Sequence, residues 1–208
     1  MARTIPAPFV SRSVLPQRAI TPSQHTNSLS PVSTSKVVVI MNQLNFALAF
    51  LRIAVGVMIA IHGYAHVWRG GKIKGTAAWF GSIGMRPPLV QAWMASLTEL
   101  GSGFLLIVGF LTPLAAAGVL GVMVVAFVTA HRNNGFFIYN AGQGWEYVGI
   151  ISVAAIAIGT LGAGEWSFDN AFSIDLFTGW KGLATTAIAG IGGAALLLAT
   201  CWRPPAKP

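Results

Sequence analysis

Residues 98–131 decide the fold class, and they read TELGSGFLLIVGFLTPLAAAGVLGVMVVAFVTAH. Two apolar runs, 90–111 and 114–130, are separated here only by Thr112 and Pro113. Proline is favoured in the first turn of a helix, and about 20 mostly apolar residues suffice for a helix to cross a bilayer. This stretch therefore predicts two antiparallel membrane-spanning helices joined by a tight turn.

Three further apolar runs predict membrane spans, at 44–67, 147–161 and 183–202. The last run is rich in glycine and alanine, which let neighbouring helices approach closely. Residues 70–88, between the first two spans, read GGKIKGTAAWFGSIGMRPP and predict a short amphipathic helix at the membrane surface, with Trp79 at headgroup depth. The chain is therefore predicted to be an all-α integral membrane protein, with a fifth span near the C-terminus.

The composition supports a membrane protein and excludes several other classes. Charged residues make up 9% of the chain and hydrophobic residues 54%, whereas soluble domains carry roughly 25% charged residues. This excludes a soluble enzyme, a nucleic-acid-binding domain and a disordered chain. The net charge of +8 comes from basic residues in loops and tails, where they face anionic lipid headgroups. Membrane lipids are therefore the expected contacts, and nucleic acid is not. The single cysteine excludes an intrachain disulfide and a dithiol redox pair.

The chain divides into three parts. Residues 1–40 are rich in Ser, Thr and Pro, carry basic residues and contain no acid. They are expected to be a disordered or over-called extension ahead of a natural start at Met41, with an organelle transit peptide as the alternative. Residues 41–171 are expected to form the transmembrane bundle, and residues 172–208 a C-terminal transmembrane helix and basic tail. Charges beside the spans favour a cytoplasmic first loop, while the N-terminal tail favours the opposite orientation, which stays open.

Charged side chains within the predicted spans are the first candidates for function, because each costs about 2.5–3.5 kcal/mol at mid-span. Arg52, His62 and His66 share one stripe of the first span, and Glu99 lies on the polar side of the second. Arg52 is the expected partner of Glu99. That pair would either belong to a proton path or be a structural pair that fixes helix register.

Two more groups of candidates lie where spans meet the membrane surface. The sequence AHRNNGFF at 130–137 ends the third span, and its His131 and Asn133 are candidates to hold a quinone carbonyl. A helix cap with an aromatic anchor is the alternative there. Glu146 opens the fourth span, near His131 and Arg132. It is either a proton-transfer residue or an acid that interacts favourably with the helix dipole.

Haem, metal and nucleotide are not expected as cofactors. His62 and His66 are four residues apart, a spacing that suits one metal ion. They cannot supply both axial ligands of a haem, which lie on opposite sides of the ring. The chain contains no paired Glu-x-x-His motifs for a di-iron site and no glycine-rich phosphate loop.

Six segments, in order along the chain, together resemble the DoxX family of small bacterial membrane proteins. They are LRIAVGVMIAIHGYAH (51–66), GTAAWFGSIGM (75–85), TELGSGFLLIVGFLTPLAA (98–116), MVVAFVTAHRNNGFF (123–137), WEYVGIISVA (145–154) and GAGEWSFDNA (162–171). The resemblance implies a four-helix transmembrane bundle, here with an extra C-terminal helix, in the bacterial inner membrane rather than an organelle. His66 departs from the family's usual HG-x-x-K pattern, which has lysine at that position.

The resemblance also suggests a function. The family takes its name from a subunit associated with an archaeal thiosulfate:quinone oxidoreductase, and a mycobacterial relative is linked to a membrane redox complex. It implies a quinone-facing or accessory subunit that needs protein partners to supply electrons. Glu99, Arg52 and Glu146 are the catalytic candidates, and His62, His131 and Asn133 are the candidates for cofactor binding. The alternative is a non-catalytic scaffold or assembly subunit. A transporter ranks third, because the chain shows no inverted repeat or broken helix pair.

Overall fold

The computed structural model describes residues 34–174 and 178–205, which are helical and contain no strands. A π-helical turn, Phe127–His131, continues the fourth helix. The α-helices of these ranges are α1 (Thr34–Trp68), α2 (Lys72–Ser82), α3 (Pro88–Val108), α4 (Thr112–Ala126), α5 (Glu146–Leu161), α6 (Phe168–Ala171) and α7 (Trp180–Cys201).

The five predicted spans correspond to α1, α3, α4, α5 and α7. Three helices are long and apolar enough to cross a membrane: α1, α4 with its π-helical turn (Thr112–His131), and α7. Helix α3 has 21 residues and a more polar sequence, and α5 is a shorter apolar helix of 16 residues. The predicted all-α membrane fold with a further C-terminal helix is confirmed, and the chain is a multi-pass membrane protein.

The turn between α3 and α4 forms as the sequence predicts. Gly109 ends α3 with a positive φ of 68°, a conformation that glycine adopts without steric cost. Pro113 lies in the first turn of α4, where its missing N–H would have no partner in the helix. The two helices therefore follow each other with only Gly109–Leu111 between them.

Helix α1 begins ahead of its predicted start. Residues 34–40 were expected to belong to the extension before Met41, but α1 begins at Thr34. The last proline before it is Pro31, so the Val-rich run that follows meets no helix breaker. The side chains of 37–40 are exposed. The prediction for residues 1–33 concerns a segment outside the described residues.

Close backbone contacts hold α1 against α3. A Cβ atom at Gly56 would lie 2.7 Å from the Gly103 carbonyl oxygen, and one at Gly63 would lie 2.9 Å from the Ser96 carbonyl oxygen. Larger residues at either glycine would force the helices apart. The partner's residue number falls as the number on α1 rises, so the two helices are antiparallel.

Helix α7 is an integral part of the bundle and packs against α4 and α5. A Cβ atom at Gly190 would lie 2.9 Å from the Ala117 carbonyl oxygen of α4. The hydroxyl of Thr186 is fully buried and donates to the Pro113 carbonyl at 3.0 Å. The predicted role of small residues in packing is thus seen at this interface.

The end of α7 is bound to the loop that precedes α3. Trp202 forms a bridge with Met85, and its indole Nε1–H donates to the Ile83 carbonyl at 2.9 Å. The Arg86 N–H donates to the Cys201 carbonyl at 2.7 Å. We call this set of contacts the C-terminal latch.

The predicted helix between the first two spans is present as α2. Ala77 and Phe80 are buried, whereas Trp79 is exposed. The Thr76 hydroxyl donates to the His66 carbonyl at 2.9 Å, which joins α2 to the end of α1. The position of α2 at the membrane surface stays a prediction.

Candidate functional site

A cavity of about 330 Å³ lies among these helices, and we call it the central cavity. Its walls are mainly apolar, and they include Trp79, Phe80 and the small residues of α7. Concave, mainly apolar pockets with a few polar groups are the usual form of small-molecule sites. The cavity is also lined by His62, His66, Gln91, Thr98, Glu99, Thr129, His131 and Tyr147.

His66 of α1 and Glu99 of α3 form an ion pair at one wall of the cavity. His66 Nδ1 lies 3.1 Å from Glu99 Oε2, and the Glu99 side chain is only 6% exposed. Neither of these two atoms has a hydrogen-bond partner within the described parts of the chain. The Phe80 ring lies edge-on to His66, with centroids 6.1 Å apart. The carboxylate therefore depends on the imidazole and on whatever occupies the cavity.

His131 and Tyr147 form a second pair that lines the same cavity. The His131 Nδ1 atom lies 2.9 Å from the Gln143 carbonyl oxygen, and Nε2 lies 2.7 Å from the Tyr147 hydroxyl. Because a carbonyl oxygen only accepts hydrogen bonds, the ring hydrogen of His131 is assigned to Nδ1. The neutral ring then accepts a hydrogen bond from the Tyr147 hydroxyl at Nε2. Glu99 interacts electrostatically with Tyr147, so the two pairs influence each other.

The π-helical turn at the end of α4 carries the second pair. The Arg132 N–H donates to the Phe127 carbonyl at 2.9 Å, five residues back. The wider turn changes the direction in which His131 leaves the helix, and the side chain is buried. π-helical turns of this kind are frequent at functional sites.

His62 also faces the cavity, one turn before His66 on the same helix face. Its side chain makes no hydrogen bond or ion pair with any other described residue. Its ring nitrogens are therefore available to a ligand.

The predicted pair between Arg52 and Glu99 is wrong. Arg52 is buried, and its Nη1 donates to the carbonyls of Leu106 at 2.8 Å and Ile107 at 2.9 Å. The antiparallel contacts of α1 and α3 place Glu99 level with about Ala60, in the C-terminal part of α1. Arg52 is about eight residues away along that helix, or about 12 Å.

Arg52 belongs instead to a structural cluster outside the central cavity. Its Nη2 donates to the Trp166 carbonyl at 2.7 Å. The buried Asp169 carboxylate, which interacts electrostatically with Arg52, accepts from the N–H groups of Leu111 at 2.7 Å and Thr112 at 3.0 Å. We call Arg52, Asp169 and these backbone groups the Arg52 clasp. It provides hydrogen-bond partners for backbone carbonyls at the end of α3 and for backbone N–H groups at the start of α4.

Glu146 lies at the start of α5 but does not line the cavity. It makes no ion pair with another residue of the described ranges. Its predicted neighbours have other partners, since His131 binds Tyr147 and the Arg132 guanidinium lies 5.5 Å from the centre of the Trp202 ring.

Asn133 is exposed in the loop and lies outside the cavity. Its neighbour Asn134 organises that loop. Asn134 Nδ2 lies within hydrogen-bond distance of the carbonyls of Ala130 at 2.9 Å and Gly142 at 2.7 Å. This arrangement fits the alternative prediction of a helix cap at the end of the third span.

Sequence reasoning missed Tyr147, which sits at the start of an apolar run beside the more conspicuous Glu146. A helical wheel offers one signal, because consecutive residues point about 100° apart and cannot both face the bundle. Within the described residues, no group of three or more His, Cys, Asp or Glu side chains could hold a metal ion.

The fold and the cavity define a multi-pass helical membrane protein with a polar site inside its bundle. Residues 47–132 match the family model described as DoxX, so this part of the chain is similar to that family. The matched region contains His62, His66, Glu99 and His131, but it ends before Tyr147 and α7. No curated protein and no solved structure matches the chain.

Proposed function

We propose that this protein binds a quinone in the central cavity and handles the protons of quinone reduction, as one subunit of a redox complex in the bacterial inner membrane. One observation carries the proposal. Two acid–base pairs, His66–Glu99 and His131–Tyr147, line a single cavity whose other walls are mainly apolar. The match of residues 47–132 to the DoxX family model supports it, given the redox complexes with which that family is linked.

The residues of the cavity fit the chemistry of a quinone head group. A quinone ring is flat and apolar and has two carbonyl oxygens that accept hydrogen bonds. His62 has a ring N–H to donate and no described protein partner, and Tyr147 has a hydroxyl. Trp79 and Phe80 add aromatic surface to the cavity, against which a flat ring can pack.

The two pairs have separate roles in proton handling. When bound, the quinone would supply the acceptor for electrons. The His66–Glu99 pair can carry one proton, on the imidazole or on the carboxylate, since these are the usual groups of acid–base catalysis. The Tyr147 hydroxyl donates to His131 Nε2, and it can give its proton to a ligand in the cavity by turning away from that ring. Electrons would come from partner proteins, because the one cysteine of this chain cannot form a dithiol pair.

The test is quinone binding to the full chain in lipid nanodiscs, measured with a short-tailed quinone by quenching of tryptophan fluorescence. We expect saturable quenching, part of which is lost with Trp79→Phe. We expect weaker binding by Glu99→Gln and by Tyr147→Phe. Glu165→Gln and Tyr139→Phe are matched controls, because both residues are exposed and lie outside the central cavity.

A non-catalytic scaffold gives a different result. In that case the wild-type chain shows no saturable quenching, or the cavity variants bind as well as their matched controls. Either result overturns the proposed function. The cavity variants would then change only the amount of assembled complex recovered with the chain.

A further inference from the structure

We propose that the quinone enters the central cavity sideways from the bilayer, through a cleft between α3 and α7, and that its hydrocarbon tail remains in this cleft. This inference rests on the proposed function and adds the route and the class of ligand, a quinone with a long tail. We call the space between α3 and α7, with α4 as its floor, the lateral cleft. It is lined by Met94, Thr98, Gly118, Val122, Ala189 and Gly193.

The packing of the bundle leaves a gap between α3 and α7. Helices α3 and α7 both pack against α4, but they make at most marginal contact with each other along the described chain. The C-terminal latch joins the loop before α3 to the end of α7, and so closes the cleft at that end. The rest of the lateral cleft lies along the membrane-spanning parts of α3 and α7 and faces away from the bundle.

Burial of the lining residues indicates where the cavity opens. Met94 of α3 is 46% exposed, and Gly193 of α7 is also exposed. Met123 and Ile151, which line the cavity from α4 and α5, are buried. One opening of the cavity therefore lies between α3 and α7.

The polarity of the cavity matches an amphiphile. The His66–Glu99 and His131–Tyr147 pairs suit a polar head, whereas Met94, Val122 and Gly193 offer an apolar path toward the bilayer. A long tail in this path keeps its contact with hydrocarbon while the head group reaches the polar pairs. A tail-less molecule would not use the path.

Gly193 is placed to control the width of the cleft. A Cβ atom at Gly193 would have no neighbour within 4 Å, and the residue lines the cavity. A Cβ atom at Gly192 also has no neighbour within 4 Å, but Gly192 does not line the cavity. A Cβ atom is accommodated at both positions, but only residue 193 lines the path of the tail.

The experiment compares Gly193→Phe with Gly192→Phe in nanodiscs, using a decyl-tailed benzoquinone and the same benzoquinone without a tail. We expect Gly193→Phe to weaken binding of the decyl compound by about tenfold, the effect of an overpacked site. Binding of the tail-less compound should stay within about twofold of wild type, and Gly192→Phe should change neither.

Other outcomes separate the two proposals. If the wild-type chain binds neither quinone, the proposed function fails and this inference fails with it. If it binds both but Gly193→Phe has no effect, or affects both equally, only the lateral route is overturned. The cleft could instead hold a helix of a second copy, since small residues favour helix packing. Native mass spectrometry that shows a wild-type dimer converted to monomer by Gly193→Phe would assign it so and overturn the inference.

Discussion

The Arg52 clasp and the central cavity both bury charged side chains in the bundle, but they use them differently. In the clasp, Arg52 donates to three backbone carbonyls, and Asp169 accepts from two backbone N–H groups. In the cavity, Glu99 has only His66 beside it, and His62 has no described partner. Charges that are bound by several backbone groups hold the fold, whereas charges that face open space remain available for chemistry.

The Arg52→Met substitution should give the largest loss of stability. It leaves the carbonyls of Leu106, Ile107 and Trp166 without their donor and Asp169 without a nearby cation. Removing one partner of a buried charge pair costs about 3–5 kcal/mol. We expect a loss of that size in the free energy of unfolding, measured by titration with sodium dodecyl sulfate in mixed micelles.

The matched control for that experiment is Arg69→Met. Arg69 is exposed, and its side chain makes no hydrogen bond or ion pair with the rest of the described chain. We expect its unfolding free energy to stay within about 0.5 kcal/mol of wild type. If both variants lose the same small amount, the clasp does not hold the fold as argued.

The Asp169→Asn substitution should have the next largest effect. One amide oxygen can still accept from Leu111 or Thr112, but the second N–H loses its acceptor. An unsatisfied buried donor costs about 1–3 kcal/mol. Glu165→Gln makes the same chemical change at an exposed position nearby, and the same titration should show almost no change for it. A loss as large for Glu165→Gln would point to total charge rather than hydrogen bonding.

The sequence predicts the helices well, but it does not predict which charges meet. The spans follow from the length of apolar runs and from Thr112-Pro113, which are local properties. A helical wheel places Arg52, His62 and His66 on one stripe, whereas Arg52 is buried outside the cavity and His62 is exposed and lines it. The wheel cannot give the relative heights of residues on two helices, so it pairs Arg52 with Glu99 instead of His66 with Glu99.

The true partners of Arg52 come from parts of the chain that a local pattern cannot connect. Trp166 and Asp169 lie more than a hundred residues beyond Arg52, in a polar loop after α5. The role of Tyr147 cannot be predicted for a different reason, because an aromatic residue at the edge of an apolar run is typical of a membrane interface. Its role depends on the π-helical turn that directs His131, and the sequence analysis gives no sign of that turn.

The Tyr147→Phe substitution tests the His131–Tyr147 pair, and it should lower the stability less than Asp169→Asn does. It removes one hydrogen bond and leaves the ring in place, so we expect a loss of about 0.5–1.5 kcal/mol in unfolding free energy. Nitrogen-15 spectra of labelled histidine should show a change at His131 Nε2 and none at His62. Tyr139→Phe, at an exposed loop position, should change neither measurement. Unchanged His131 signals in Tyr147→Phe would contradict the assigned hydrogen bond.

The Glu99→Gln substitution should have the smallest effect on stability, and it tests the comparison most directly. Glutamine keeps the shape of the side chain, and beside a neutral His66 ring it leaves no unpaired charge buried. We therefore expect the free energy of unfolding to change by less than about 1 kcal/mol, while quinone affinity falls. His66→Lys places a permanent cation next to Glu99, so its stability should also stay near that of wild type. A loss for Glu99→Gln as large as that for Arg52→Met would mean that the cavity charges, like those of the clasp, serve to hold the bundle together.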